Sequence, residues 1–339
     1  MKLEKYGEKP TRHGFAKGLV ELGHEDENVC VFGADVSGSV KSADFEKEFP
    51  DRFFSIGIAE ANATTTAVGF ALSGKTSVFA TYSAFAAFRN TDQLRISVCY
   101  NNANVKIGGG HSGLTVGPDG ATHQSLEEVS LLRTLPNMTL VVPCDYEEAR
   151  KAIKLVGRMK GPAYVRFGRS AVPMFTREDT PLIYGKAQVF RTGNDVALVA
   201  NGLMVWRAME AAEKLKEDHG IEARVINNAF VKPMDEETIT NAARDCGCIV
   251  TAEEHQVIGG LSGAIAEVVA KNFPVPIEFV GVKDTFGESG DGNELLEKYG
   301  LTWKEIYASA LTAIKRKNEG FEKSGLGVRK MTDISEYSK

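Results

Sequence analysis

The chain has few of the features that mark secreted, membrane-bound or nucleic-acid-binding proteins. Its five cysteines are odd in number and widely spaced, which argues against a disulfide framework and favours a reducing compartment. A net charge of -5 provides no basic surface for nucleic acid. No apolar run approaches the ~18 residues of a membrane helix, and the first ten residues lack the apolar core of a secretory signal. We therefore expect a cytoplasmic protein without a membrane or nucleic-acid partner.

Signatures of nucleotide and metal binding are also scarce. No GxGxxG motif or P-loop follows any predicted strand, which disfavours a nucleotide-binding α/β regulatory module, the non-enzymatic alternative. Cys246-Gly247-Cys248 has the spacing of a metal hook, but no second Cys or His pair is near it. Small residues that enter a strand are the preferred interpretation. The sequence alone therefore predicts no metal ligands.

Strand and helix patterns alternate along the chain, which predicts right-handed crossovers and mainly parallel sheets covered on both faces. The predicted fold is α/β, with two doubly wound domains. A stretch with two prolines and no clear period interrupts the alternation and is the predicted linker, 171–186. We expect one domain in 1–170, a second in 187–317, and a polar tail in 318–339 that either is disordered or lies on a neighbouring subunit.

Three predicted strands between Phe53 and His123 end in polar or aromatic residues. The first, 53–58, has the composition of a buried strand; the others are 78–80 and 105–107. The residues that follow them are Glu60, then Tyr82, Phe85 and Phe88 at steps of three, and then His111, Asp119 and His123. Because ligands bind at the carboxyl ends of strands in open α/β sheets, these residues form the candidate site.

Two motifs in this stretch resemble those of a known family. Gly57-Ile58-Ala59-Glu60 is similar to the start of the GIAEQN motif of transketolase, with Ala61 in place of the usual glutamine. The loop HSGLTVGPDGATHQ, residues 111–124, is close to the family form throughout. Over about residues 5–317, the chain resembles the C-terminal half of transketolase, which comprises its pyrimidine-binding domain and its small C-terminal domain.

The resemblance implies a transferase that moves a two-carbon ketol unit from a ketose phosphate to an aldose phosphate, as in the pentose phosphate pathway. It implies thiamine diphosphate as the cofactor. The family domain that binds the diphosphate and magnesium is missing, so the chain resembles one subunit of a split, two-gene transketolase. The Mg²⁺ ligands are then expected on an N-terminal partner subunit, within a heterotetramer that holds two copies of each chain.

The resemblance also assigns the cofactor side of the site. Glu60 would donate a hydrogen bond to a nitrogen of the aminopyrimidine ring and shift it to the imino tautomer, a role that suits a protonated carboxyl group in an apolar pocket. Asp35 would line the same side of the site. Tyr82, Phe85 and Phe88 would line the aminopyrimidine pocket on one side of a helical turn, with Phe85 stacking on the ring. The polar residues that follow are expected to hold this helix in a subunit interface: Arg89, Asp92, Gln93 and Arg95.

The substrate side follows from the same resemblance. His111 would contact the sugar near its phosphate end, and His123 would contact the carbonyl and hydroxyl oxygens of the donor. Asp119 would select the stereochemistry of a neighbouring hydroxyl group. The phosphate would bind to Arg12, Ser39 and Arg169, because guanidinium groups fit a phosphate through paired hydrogen bonds.

Several alternatives stay open. A 1-deoxyxylulose-5-phosphate synthase typically has an Asp-Arg pair near the position of His111, and the beta subunit of a 2-oxoacid dehydrogenase would not need the phosphate ligands. A transketolase for a sulfonated or branched sugar is a third alternative.

Two further motifs receive structural interpretations. Gly290-Asp291-Gly292 and Asn318 have the spacing of the thiamine diphosphate fingerprint. However, the residues after Gly292 are typical of a helix that Asp291 begins, and Asn318 lies in a charged run instead of at the end of an apolar strand. Glu253, Glu254 and His255 look catalytic by composition. Since the family's second domain is mainly structural, we expect these three residues to form an interface network.

Overall fold

The computed structural model describes residues 4–323, which form a seven-stranded sheet, a five-stranded sheet and a two-stranded ribbon. The strands are β1 (Glu8–Pro10), β2 (Val29–Gly33), β3 (Phe53–Ser55), β4 (Thr76–Tyr82), β5 (Val105–Gly110), β6 (Thr139–Val141), β7 (Ala163–Arg166), β8 (Ala171–Pro173), β9 (Gln188–Arg191), β10 (Val196–Ala200), β11 (Ala223–Asn227), β12 (Phe230–Lys232), β13 (Ile249–Gln256) and β14 (Ile277–Val282).

Helices connect most of these strands. They are α1 (Thr11–Glu25), α2 (Ser37–Val40), α3 (Ala43–Glu48), α4 (Glu60–Leu72), α5 (Ser83–Phe88), α6 (Thr91–Gln93), α7 (Glu128–Arg133), α8 (Tyr146–Arg158), α9 (Met204–His219), α10 (Glu236–Cys246), α11 (Leu261–Asn272), α12 (Gly292–Lys298) and α13 (Trp303–Lys323). A π-helix, Leu94–Tyr100, follows α6, and 3₁₀ turns occupy Pro50–Arg52 and Leu114–Asp119. Within residues 4–323, none of the helices combines the length and the apolar character needed to span a membrane.

Both large sheets are mainly parallel, so the predicted α/β class is confirmed. The strand order is β12-β6-β7-β5-β4-β2-β3 in the larger sheet and β14-β13-β10-β11-β9 in the smaller one. The two antiparallel pairings are β12 with β6 and β9 with β11, each at a sheet edge. The division of the chain at 171–186 and the other domain limits stay predictions.

Helices α1 and α8 pack in close contact on one face of the larger sheet. A Cβ atom at Gly18 would lie 2.2 Å from the carbonyl oxygen of Arg150, so glycine is required for the two backbones to approach. The buried side of α8 carries Ala152, Ile153 and Val156, and its first turn is capped by Asp145, which accepts a hydrogen bond from the amide of Glu148. Small and branched residues therefore place α1, and with it Arg12, against the sheet.

The chain returns from the second domain to complete the first sheet. After β11, strand β12 pairs with the edge strand β6 before the chain continues into α10. Sequence patterns did not predict β12, because its three residues are too few to show a period. The pairing ties the second domain to the sheet that carries the candidate site.

Several sequence predictions of element limits were wrong. Strands β4 and β5 extend beyond the predicted 78–80 and 105–107. The strand predicted over 53–58 ends at Ser55, and Ile58 is 71% exposed. The reason is that β3 lies at a sheet edge, and Gly57, with φ +77°, turns the chain towards α4. The last helix extends through Lys323, into the stretch predicted as a tail. The rest of that tail, 324–339, lies outside the described residues.

A lysine is buried in the central strand β5. Lys106 donates to the carbonyl oxygens of Met159 and Gly161, and it is 1% exposed. Burial, with a smaller effect of the Lys160 charge, lowers the pKa of Lys106 from 10.5 to about 7. The folded chain therefore releases this proton at a lower pH than the unfolded chain does.

This shift predicts a pH dependence of stability. Between pH 7 and the unfolded pKa of ~10.4, the unfolded chain binds more protons, so stability rises with pH. We expect the free energy of unfolding of the wild type to rise by about 2 kcal/mol more than that of Lys106→Met between pH 7 and pH 9. Denaturant titrations at both pH values measure this difference, with the exposed Lys47→Met as the control. Equal pH dependence in the wild type and Lys106→Met would contradict the prediction.

Candidate active site

The predicted site residues gather at the carboxyl ends of five neighbouring strands, in the order β7, β5, β4, β2 and β3. Arg169 follows β7, His111 follows β5, and Tyr82 ends β4. The remaining predicted residues on the loops and helices that follow these strands are Asp35, Ser39, Glu60, Phe85, Phe88, Asp119 and His123. Arg12 reaches the same edge from the first turn of α1, where its amide donates to Gly168.

Four of the predicted rings form one cluster. Tyr82 pairs with Gly110 in the β4–β5 register, so His111 lies next to it, with ring centroids 4.2 Å apart. The ring of His123 lies 5.8 Å from that of Tyr82 and 5.2 Å from that of Phe85. Tyr82 precedes α5 rather than belonging to the helix, and Phe88 at its end is 43% exposed. The structure thus joins the histidine loop to the predicted aromatic pocket.

His111 is a neutral hydrogen-bonding group. It is 2% exposed and has a φ of +54°, an uncommon conformation for a residue other than glycine. Burial, followed by the charges of Arg12 and Arg169, lowers its pKa to about 3. Its Nδ1 atom has no hydrogen-bond partner within residues 4–323, and its Nε2 lies 3.5 Å from Nη1 of Arg12. A buried imidazole with a free nitrogen is suited to bind a polar ligand.

Two arginines, Arg12 and Arg169, make the side of the site next to His111 cationic. Nη1 of Arg12 donates to the carbonyl oxygen of Ser39 at 3.0 Å, while its buried Nε has no partner in the described part of the chain. Burial, and then the neighbouring charge of Arg169, lowers the pKa of Arg12. Arg169 contacts Asp119 at 3.1 Å and the carbonyl oxygen of Val116. Two guanidinium groups close to each other favour an anionic ligand.

Glu60 begins α4 and is 4% exposed, but its pocket is not the apolar one predicted. Nη1 of Arg89 lies 2.7 Å from Oε1 of Glu60, and the same guanidinium stacks on the ring of Phe85, 3.7 Å from its centroid. Sequence analysis placed Arg89 in a subunit interface. Its position four residues after Phe85, on the same side of the helix, was a signal for this contact.

Asp35 and Ser39 lie at the rim of the site. Asp35 is exposed on the turn after β2, with a φ of +58°. Ser39 belongs to the short helix α2, where its backbone carbonyl rather than its hydroxyl contacts Arg12. Both residues therefore stand beside the site, without a side-chain contact to the other predicted residues in the described structure.

The predicted interface network in β13 contacts the first domain through Glu254, which accepts the amide of Thr115 at 2.7 Å. Glu253 instead accepts the amides of Leu261 and Ser262 at the start of α11. Sequence analysis missed the neighbouring ion pair of Glu128 and Arg166, which is buried and 2.5 Å long. No sequence pattern pointed to this pair, because its members are 38 positions apart in the chain.

The structure confirms the helix start predicted at Asp291, and it places Cys246 at the end of α10 rather than at the entry to a strand. Asp291 caps α12 by accepting hydrogen bonds from the amides of Asn293 and Glu294. Cys246 and Cys248 are buried, and burial raises the pKa values of their thiols to about 11 and about 12. Among residues 4–323, no group of three or more His, Cys, Asp or Glu side chains could hold a metal ion.

Comparisons with known proteins cover most of the chain. Residues 8–174 match the family model of the transketolase pyrimidine-binding domain, and residues 185–306 match that of the transketolase C-terminal domain. The chain is 39% identical to a 6-deoxy-6-sulfo-D-fructose transketolase subunit of a Clostridium species, over 94% of this chain and 98% of that protein. It is 38% identical to one of the subunits of an apulose-4-phosphate transketolase of Phocaeicola vulgatus, over 90% and 97%.

A solved structure agrees with these matches. A split gene transketolase, described as an inactive beta4 tetramer, superimposes with a TM-score of 0.85 at 44% sequence identity. The match covers 91% of this chain and 99% of that chain.

Proposed function

Since the chain belongs to the transketolase family, as its motifs indicated, we propose that with an N-terminal partner it transfers a two-carbon ketol unit between sugar phosphates. The observation that supports this most is the continuity of the site. The carboxylate of Glu60 and the ring of Phe85 form one end, the two arginines form the other, and the ring cluster of Tyr82, His111 and His123 lies between them.

The residues at the Glu60 end fit the aminopyrimidine ring of thiamine diphosphate. The guanidinium of Arg89 is planar and carries N–H groups, and it makes the two contacts expected of that ring, stacking on Phe85 and hydrogen bonding to Glu60. When bound, the cofactor supplies the carbon nucleophile that accepts the ketol unit. Glu60 would hold a proton at the ring nitrogen, and Phe85 would orient the ring, after Arg89 has moved away.

At the opposite end, Arg12 and Arg169 would bind the sugar phosphate. The unpartnered Nε of Arg12 and the proximity of the two guanidiniums support this assignment. The Asp119–Arg169 contact is half-exposed, so an incoming phosphate can compete with it. Neutral His111, with its free nitrogen, would bind a sugar oxygen beside the phosphate, while Asp119 and His123 would contact the hydroxyl groups nearer the cofactor.

The two arginines, Arg12 and Arg169, are compatible with more than one class of anionic sugar. The relatives named above act on a sulfonated sugar and on apulose 4-phosphate, according to their descriptions. Both a sulfonate and a phosphate are anions that arginine binds through paired hydrogen bonds. We propose phosphorylated ketoses and aldoses of the pentose phosphate pathway as the substrates, with sulfonated or branched sugars as the alternative that a substrate panel distinguishes.

Magnesium and the diphosphate would be held by the partner subunit. The family models matched here are those of the pyrimidine-binding and C-terminal domains. In a heterotetramer, the exposed Ile58 and Phe88 beside the site would face the partner chain. Asp35, at the rim, would line the cofactor side of the same site, and Ser39 would contribute to the phosphate side.

Reconstitution tests the proposed function. We expect no ketol transfer from the purified chain with a ketose phosphate, an aldose phosphate, thiamine diphosphate and Mg²⁺. The inactive beta4 tetramer of the solved relative supports this expectation. Addition of an N-terminal transketolase subunit should restore activity, measured by chromatography of the sugar products. Robust turnover by the chain alone, or none with the partner present, would contradict the proposal.

The position of Arg89 yields a prediction about cofactor affinity. Because Arg89 occupies the contacts proposed for the aminopyrimidine, Arg89→Ala should tighten thiamine diphosphate binding to the two-chain enzyme. A half-exposed ion pair and a cation–π contact each contribute about 0.5–1 kcal/mol, so we expect a several-fold lower Kd by calorimetry. Arg244→Ala, which removes an exposed arginine from the ring of Phe273, is the matched control. Weaker binding in Arg89→Ala would show that Arg89 supports the cofactor instead.

A further inference from the structure

The loop of residues 111–123, here called the substrate loop, is held from the second domain at two places. At one, Glu254 accepts the amide of Thr115. At the other, the side chain of Gln124 donates to the carbonyl oxygens of Leu114 and Gly117 in the loop and of Glu288 in the second domain. The loop that carries the proposed substrate ligands thus depends on residues from outside its own domain.

The loop is shaped around the Glu254 carboxylate. Gly113 has a φ of +81°, and a Cβ atom there would lie 2.3 Å from the carboxyl carbon of Glu254. Any side chain at position 113 would therefore displace Glu254. Two residues later the loop turns its Thr115 amide onto Oε1 of the same carboxylate, at 2.7 Å. The space beside Glu254 thus requires glycine at position 113, and the Thr115 amide requires a hydrogen-bond acceptor at position 254.

The side-chain carboxylate of Glu254 hydrogen-bonds to the substrate loop and not to the neighbouring arginine. The Nε of Arg166 donates to Glu128, and its Nη2 donates to the backbone carbonyl of Glu254 rather than to the Glu254 side chain. Burial, opposed by the Arg166 charge and the Thr115 hydrogen bonds, raises the pKa of Glu254 to about 7. A carboxyl group that is 5% exposed, with a cation engaged elsewhere, is costly to bury. The hydrogen bond from the Thr115 amide offsets part of this cost.

We propose that Glu254 is a positioning residue that fixes the substrate loop from the second domain. It thereby sets where Asp119 and His123 stand relative to His111 and Arg12. The importance of this geometry for turnover depends on the function proposed above, whereas the fixation of the loop does not. The second domain then fixes a loop of the site, in addition to supplying strand β12 to the first sheet.

The neighbouring residue Glu253 provides a matched control. It lies on the same strand and is also buried, but its carboxylate caps α11 through Leu261 and Ser262. A general loss of packing in the second domain would follow from either substitution. A change confined to the substrate loop should follow only from substitution of Glu254.

Hydrogen exchange of the free chain, read by mass spectrometry, tests the fixation. In Glu254→Ala, we expect amides of 113–120 to exchange at least about tenfold faster, since Thr115 loses its acceptor. Glu254→Gln, whose amide oxygen can still accept, should show a smaller acceleration. Glu253→Gln should accelerate exchange at the start of α11 and leave the loop unchanged. If Glu254→Ala does not fold, an accelerated loop in Glu254→Gln still supports the proposal.

Kinetics of the two-chain enzyme test the consequence. We expect Glu254→Ala to raise KM for the sugars about tenfold and to leave the Kd of thiamine diphosphate unchanged, with Glu254→Gln restoring most of the difference. Unchanged loop exchange in both Glu254 variants, or equal loop effects in Glu253→Gln, would overturn the proposal. Faster loop exchange in an enzyme with no ketol transfer would retain the fixation and reject the proposed function.

Discussion

Glu60→Gln in the two-chain enzyme should lower kcat by about 10²–10⁴-fold, the range typical of general acid–base groups. The glutamine amide can still hydrogen-bond to a ring nitrogen, but it cannot hold and move the proton. Since Glu60 lies at the first turn of α4 and is 4% exposed, an isosteric amide should keep the local packing. Steady-state assays at saturating cofactor and sugar measure the effect.

The contact with Arg89 requires a control for this experiment. Glu60→Gln also removes the charged partner of Arg89, 2.7 Å away. Arg89→Ala breaks the same ion pair but leaves the carboxyl group, so it should keep kcat within a few-fold of the wild type. If Glu60→Gln and Arg89→Ala lose activity equally, the ion pair rather than the proton is what the reaction needs, and the assignment of Glu60 is wrong.

Arg12→Ala and Arg169→Ala should each raise KM for phosphorylated sugars far more than they lower kcat. Each charge-assisted contact with phosphate contributes about 1.5–3 kcal/mol, which corresponds to roughly 10–150-fold in KM. The contact exists in both the ground and transition states, so it counts as uniform binding. Initial rates against the concentration of the aldose phosphate measure the effect.

An unphosphorylated acceptor is the matched control for the arginines. With the corresponding free aldose, the wild type and the variants should converge, because neither guanidinium then has its anion. Each substitution also removes a cation that lowers the pKa of His111, so the pH profiles of both variants need to be recorded beside that of the wild type. Unchanged KM for phosphorylated sugars in both variants would remove the phosphate assignment.

Local sequence patterns predicted much of the fold. Strand β10 is a continuous apolar run, and α8 has an apolar face that repeats with helical spacing. Residues at or directly after the ends of strands, such as Tyr82 and His111, were placed in the site because carboxyl ends of parallel strands share one edge. These predictions depend on residues that are close in the sequence.

The features that sequence analysis missed depend on contacts between distant residues. Strand β12 is defined by its pairing with β6, and the limit of β3 by its position at the sheet edge. The Arg89–Glu60 and Glu254–Thr115 contacts join residues separated by 29 and 139 positions. No periodicity reports such pairs, so an apolar pocket was predicted where an ion pair lies.

The proton exchange rate at the thiazolium carbon of bound thiamine diphosphate tests the central claim most directly. It reports on the cofactor beside Glu60 without any contribution from sugar binding. In deuterated water, with the partner subunit present, we expect exchange in Glu60→Gln to be about 10²–10⁴-fold slower than in the wild type. An exchange rate in Glu60→Gln close to that of the wild type would contradict the account and leave Glu60 as a carboxylate that only stabilises the start of α4.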